Sequence, residues 1–373
     1  MCVDSDRISD ASIGSIAVSH LLPMVLCEAL LASGRPGARV HGGGCAAEGR
    51  HHLRGVVREQ RPGFVRRGRD GLPLRLADLV VTSMATLAAA YLAIAARWVP
   101  GWGRSFAVFV AIALGPLVLR ALPRLWPKAR QAFDFAASFW LLPASIFGHA
   151  ALGPIADGVR PALVDRQLAA LDISVFGRAP AVLLEGRTPP WLTELLLVCY
   201  YTYFLWPVLL GVLLYFTRER KAFDEYLLAL SLLFSANFVL YVLVPAVGPR
   251  YFLAGEFRAP LQGVWLTPFL DSLMRQPAFA RDCFPSGHTA VTALTLAFAH
   301  RHHRRFFWAL LPVALGLIAG TVVGRFHYVV DLIFAMPLLA AAMAAAVAIE
   351  RARPSGVVML PLPEGALRRP AGA

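Results

Sequence analysis

The chain has 373 residues, 57% of them hydrophobic, with a mean hydropathy of +0.59 and a formal net charge of +13. So apolar a composition excludes an ordinary soluble protein, and several runs approach the ~20 residues needed to cross a bilayer. The basic charge does not argue for nucleic acid, because the arginines lie in short segments between apolar runs, where they set membrane orientation; Lys128 and Lys221 are the only lysines.

Residues 1–73 differ from the rest. They carry Gly42-Gly43-Gly44, His51-His52 and many arginines between Arg50 and Arg69, a composition that predicts a disordered or weakly structured basic region. The apolar stretch from Ser12 to Leu31 is broken by His20, Pro23 and Glu28 and follows Asp4, Asp6 and Asp10, which does not suit a signal peptide. From Leu74 onward the hydropathy predicts an all-α polytopic bundle of about eight spans, near 78–97, 104–122, 133–153, 193–216, 224–245, 285–300, 306–324 and 329–349. Basic clusters precede the first span (Arg66, Arg67, Arg69, Arg75) and follow the second (Arg124, Lys128, Arg130). More follow the fourth (Arg218, Arg220, Lys221), the sixth (Arg301, Arg304, Arg305) and the eighth (Arg351, Arg353). Every second connection is therefore basic, which predicts both termini inside and the connections 154–192, 246–284 and 325–328 outside.

Two motifs fall at that outer edge. In Asp282-Cys283-Phe284-Pro285-Ser286-Gly287-His288-Thr289, Ser286 is a good N-cap and His288 opens a helix whose free N–H groups favour an anion. In Gly324-Arg325-Phe326-His327-Tyr328-Val329-Val330-Asp331, His327 and Asp331 stand four apart, on one helix face. A carboxylate that holds one ring nitrogen of His327 leaves the other free to attack phosphorus. His288 would then protonate the leaving oxygen, while Ser286 and the Gly287 N–H hold phosphate oxygens. Arg250, after Gly248-Pro249, has the fork for phosphate, or is a snorkelling interfacial arginine. Arg325 is a second phosphate ligand or an interface anchor. Cys283 reads as a bystander, Cys199 as packing, and His149 as a lone histidine with weak functional standing. The outer stretch with Asp165, Arg166, Asp172 and Phe176-Gly177 carries less chemistry. Trp265, Phe269, Leu270, Leu273 and Met274 are spaced like one face of a short interfacial helix. No metal-ligand set is visible, His300, His302 and His303 lying among arginines, and the mechanism needs no cofactor.

Phe284-Pro285-Ser286-Gly287-His288 followed by His327-Tyr328-x-x-Asp331 resembles the type-2 phosphatidic acid phosphatase superfamily over roughly residues 160–350. Gly320 and Thr321 stand where that family's third motif has Ser-Arg, and Arg250 is followed by Tyr251 rather than proline. These departures are similar to the inositol phosphorylceramide synthase-like (inositolphosphotransferase) branch. The resemblance implies accessory helices at 74–155, a phosphatase or phosphotransferase membrane core at 156–350 and a cytoplasmic tail at 351–373. It also implies metal-independent cleavage of a lipid-linked phosphate ester through a phosphohistidine, with water or an alcohol as acceptor. The site would face the periplasm or exterior of a bacterial membrane. The alternatives are a polyprenyl diphosphate phosphatase, or a non-catalytic transport or binding protein of the same fold.

Overall fold

The computed structural model describes residues 71–217, 220–273, 281–353 and 357–361. The reading of residues 1–73 as weakly structured therefore lies outside the described residues, except that Gly71–Arg75 forms strand β1. Met274 and most of the proposed tail also lie outside them.

Among the described residues the fold is all-α apart from one two-stranded sheet. After β1 come α1 (Leu76–Ala95), α2 (Trp102–Ala121), α3 (Arg130–Ser138), α4 (Leu141–Ala150) and α5 (Gly153–Val159). The second half opens with α6 (Asp165–Phe176), α7 (Pro180–Leu183), α8 (Pro190–Tyr201), α9 (Leu205–Phe216) and α10 (Arg220–Leu243). It continues with α11 (Pro249–Phe252), α12 (Thr267–Leu273), α13 (Gly287–His302), α14 (Arg304–Val323) and α15 (Val329–Ala352), and β2 (Val357–Pro361) pairs with β1.

Five described helices are long and apolar enough to span a bilayer: α1, α2 with its short 3-10 extension to Arg124, α10, α14 and α15. A sixth is counted if α8 and α9, bent by 45°, form one broken span. The other two expected spans take different shapes. The 133–153 stretch is broken between α3 and α4, and α13 has only 16 residues. A continuous apolar run thus marks where helices lie without showing where they break.

α10 is the central helix: 61% of its most apolar window is buried, against 22–33% for the other four. Lipid is as apolar as a leucine side chain, so helices in a bilayer associate by close packing and hydrogen bonds rather than by escape from water. Small residues supply the close approach here. Ala290, Ala299, Ala314, Ala335, Ala342 and Ala346 are all buried.

At one end of the bundle four helix termini meet, and their loops bond to one another. Cys283 N–H donates to Ala246 O at 3.1 Å, Arg250 N–H to Arg325 O at 2.8 Å, and Ser286 N–H to Asp331 O at 3.2 Å. Gly248 sits in the tightest part of this junction at φ +82°, where a Cβ would come 2.5 Å from Phe326 O. Only glycine fits both the backbone and the space.

α6 organises the junction through two carboxylates. Buried Asp165 accepts from Val247 N–H (2.9 Å), Gly248 N–H (2.8 Å) and the Tyr328 hydroxyl (3.1 Å). Buried Asp172 accepts from Val329 N–H (2.9 Å) and Val330 N–H (3.0 Å), the first donors of α15. This corrects the sequence expectation that the stretch carries little. It ties the Arg250 loop to the His327 motif.

Candidate active site

Ser286 has a non-helical φ of −65° and ψ of 104° and caps α13 through its side chain. Its Oγ accepts from Thr289 N–H at 3.3 Å and bonds the Thr289 hydroxyl at 3.0 Å, and the residue is fully buried. Gly287 packs against α10: a Cβ there would lie 2.5 Å from Asn237 Nδ2 and 2.7 Å from Tyr241 Oη. Both residues, expected as phosphate ligands, thus serve first to dock the start of α13 and aim His288.

His288 and His327 come together, with His327 Nε2 3.5 Å from His288 Nδ1. Aromatic rings fix His288, which stacks on Tyr200 (centroids 4.5 Å, 26°) and lies 4.3 Å from the Tyr203 ring. Tyr200 also stacks on Phe326 at 4.3 Å and 15°. Tyr200 and Tyr203 are therefore the wall behind His288.

The orientation of His327 differs from the expectation. Its Nδ1 lies 2.7 Å from the backbone carbonyl of Cys283 and 3.4 Å from Asp331 Oδ2. The carbonyl accepts only, so it selects the Nδ1–H tautomer and leaves Nε2 with its lone pair. Asp331 stands behind it: Oδ2 accepts from Tyr328 N–H at 2.8 Å and from the Cys283 thiol at 2.9 Å. The orienting pair is a carbonyl plus a carboxylate, and Cys283 is more than a bystander. Its thiol is no nucleophile, since burial and the adjacent Asp331 charge push its pKa well up.

Cys283, His327 and Asp331 also form a group whose potential ligand atoms all lie within 4.8 Å of one another, where the sequence showed no ligand set. Asp331 Oδ2 accepts from both the Cys283 thiol and Tyr328 N–H, His327 Nδ1 is engaged by the Cys283 carbonyl, and the thiol is held protonated. As arranged, this is a hydrogen-bonded cluster.

The two arginines are close to the motifs, and each is paired with an acid the sequence did not single out. Arg250 Nη2 donates to Asp271 Oδ1 at 2.5 Å and Asp271 O at 3.3 Å, with its guanidinium 5.4 Å from the Phe326 ring centre. Arg325, at φ 65°, donates to Glu185 Oε1 (3.2 Å) and Ala259 O (3.0 Å) and stacks on Phe257 at 3.9 Å. Burial alone would raise the Glu185 pKa. The N–H groups of Ala259 and Arg258 and the Arg325 charge outweigh it and hold the carboxyl below its usual range. Thr321, where the family pattern has arginine, is fully buried, and its carbonyl accepts from Phe326 N–H (2.9 Å) and His327 N–H (3.1 Å). That position contributes to the motif through its backbone.

A further pair approaches from the N-terminal helices. His149 Nε2 on α4 lies 2.9 Å from Asp282 Oδ2, one residue before Cys283. Burial raises the Asp282 carboxyl, but the His149 hydrogen bond outweighs it and brings it below its ordinary value. The exposed helix expected over 265–274 is α12, and it differs in detail: Trp265 and Phe269 are exposed while Leu270 is turned inward. Glu194 anchors the turn that leads into it, one oxygen accepting from the N–H groups of Val264, Trp265, Leu266 and Thr267 at 2.7–3.0 Å.

Residues 166–345, just under half of the chain, match the family model described as PAP2 superfamily. No characterised protein and no solved structure matches in the corresponding comparisons. The match supports the type-2 phosphatidic acid phosphatase superfamily, and not its inositolphosphotransferase branch in particular. With the apolar helices, it supports a membrane protein of phosphatase type.

Proposed function

We propose, with residues 166–345 matched to the PAP2 superfamily, that this protein cleaves a lipid-linked phosphate ester through a phosphohistidine on His327. The observation that carries the reading is the pair itself: Nε2 of His327, freed by the Cys283 carbonyl on Nδ1, faces His288 at 3.5 Å. In the first step Nε2 attacks phosphorus, the P–O bond to the lipid alcohol breaks, and His288, carrying a proton brought in with the phosphate monoester, gives it to the departing oxygen. In the second step neutral His288 takes a proton from water or an acceptor alcohol, whose oxygen attacks the phosphorus. The N–P bond breaks and His327 is regenerated. Asp331 and the Cys283 carbonyl stabilise the positive charge on His327 between the steps.

The empty site is tighter than the reacting one. A phosphoryl group in line between nucleophile and acid needs the two nitrogens roughly 6 Å or more apart, from near-attack and hydrogen-bond distances. The 3.5 Å gap therefore opens when substrate enters. Arg250 is a candidate for the equatorial oxygens, once Asp271 yields it.

Water as acceptor gives a phosphatase and an alcohol gives a transferase, on the same residues. Arginine placement supports a site open to the outer face of the membrane, with both termini inside. The test is phosphate release from a panel of lipid phosphates and diphosphates by detergent-purified protein in EDTA. Release is expected to persist in EDTA and to vanish in His327→Ala; release unchanged in His327→Ala overturns the reading.

A further inference from the structure

A cavity of about 480 Å³ lies apart from the reaction centre and is not lined by either histidine. It lies between the α7–α8 connection and the loop that carries Arg258 to Gln262, and Arg325 forms part of its wall. Its charged lining is Arg178, Arg187, Arg258 and Arg325 against one acid, Glu185. Glu185 is already occupied, accepting from Arg258 N–H at 2.9 Å and Ala259 N–H at 3.1 Å as well as from Arg325. Three positive charges are thus left without an acid in the lining. Like charges gathered around one concavity repel unless an anion joins them. The hydroxyls of Thr188 and Thr193 add neutral polar groups to the same wall.

We infer that this cavity binds a phosphate-bearing polar group, additional to the phosphoryl group that reacts at the histidines. The volume suits a phosphorylated headgroup rather than a lone ion, and planar guanidinium forks are matched to phosphate oxygens. The cavity is coupled to the reaction centre through one short segment. Arg325 is two residues before His327, and its carbonyl accepts the Arg250 N–H at 2.8 Å. On the proposed function, the ligand is a part of the donor remote from the scissile bond, or a phosphorylated acceptor. The two share their chemistry and differ in whether the group is carried on a lipid.

The experiment uses the full chain in neutral detergent carrying Arg250→Gln and His327→Ala, which removes the anion site at the histidines. Isothermal titration is run with inorganic pyrophosphate and, separately, with dilauroyl phosphatidic acid in mixed micelles. At least one probe is expected to bind, more weakly as salt rises. Adding Arg178→Gln and Arg258→Gln, both exposed side chains, is expected to weaken it about tenfold or more. Pyrophosphate alone binding assigns a soluble ligand, and the lipid alone assigns a headgroup. No binding by either probe, or equal binding after the two substitutions with an unchanged thermal melt, overturns the inference. Phosphate release is scored separately in the otherwise native chain. Cavity binding without release contradicts only the histidine reading, and release without cavity binding contradicts only this one.

Discussion

Asp165→Asn is the most informative single substitution, because Asp165 touches two motifs without facing the reaction. Its three bonds run to Val247 N–H, Gly248 N–H and the Tyr328 hydroxyl. Asparagine keeps the shape but turns one acceptor oxygen into a donor. Whichever way the amide is placed, at least one backbone N–H then faces another N–H. A lost bond to a carboxylate costs about 1.5–3 kcal/mol, and the stranded buried donor adds to it. Relief of the carboxylate's own desolvation offsets part, leaving a net loss of about 2 kcal/mol. Tyr328→Phe removes one neutral donor from the same oxygen and should cost only about 1 kcal/mol. The functional effect should exceed the stability effect. Gly248 precedes Arg250 by two residues, Tyr328 follows His327, and a shift of about 1 Å in reacting groups costs about a hundredfold. Thermal unfolding in detergent and steady-state phosphate release measure the two. Asp165→Asn with parental melting and turnover, or with effects no larger than Tyr328→Phe, would refute the claim that α6 positions the site.

Three further outcomes follow from the same geometry. Gly287→Ala drives a methyl to 2.5 Å from Asn237 Nδ2 and 2.7 Å from Tyr241 Oη, and should lower the melting temperature as overpacking does, by about 1–3 kcal/mol. Asp271→Asn loosens the hold on Arg250 and should tighten inhibition by vanadate or phosphate severalfold, as a competing carboxylate is removed; unchanged inhibition would mean the pair stays closed with substrate bound. Cys283→Ser keeps the backbone carbonyl on His327 and a donor for Asp331, so turnover should stay within about tenfold of the parent, whereas a thiol-dependent reaction would be abolished.

The catalytic candidates were legible because their chemistry is local. Ser286 caps the helix that begins at Gly287, and His327 and Asp331 are four apart. The partners that orient them were not. Nothing in the residue type of Cys283 announces that its backbone carbonyl will meet His327 Nδ1. Asp165 acts on Val247 and Gly248 across more than eighty residues of chain, and Glu185 on Arg325 across still more. Such pairings depend on how helices pack, which one sequence encodes only collectively. Hydropathy fared similarly: it located α10, α14 and α15 within a few residues, but the 45° bend between α8 and α9 at Thr202–Phe204 has no apolar signature. The departure at Gly320-Thr321 was visible in the sequence, while the backbone role of Thr321, accepting from Phe326 and His327 N–H, was not.

The central claim is that His327 carries the phosphoryl group. Its most direct test is alkali-quenched trapping of radiolabelled phosphate on the protein during turnover of a labelled lipid phosphate in EDTA. The account predicts a base-stable, acid-labile label at His327 that is absent in His327→Ala. Turnover without any labelled intermediate, or a label that persists in His327→Ala, would contradict it.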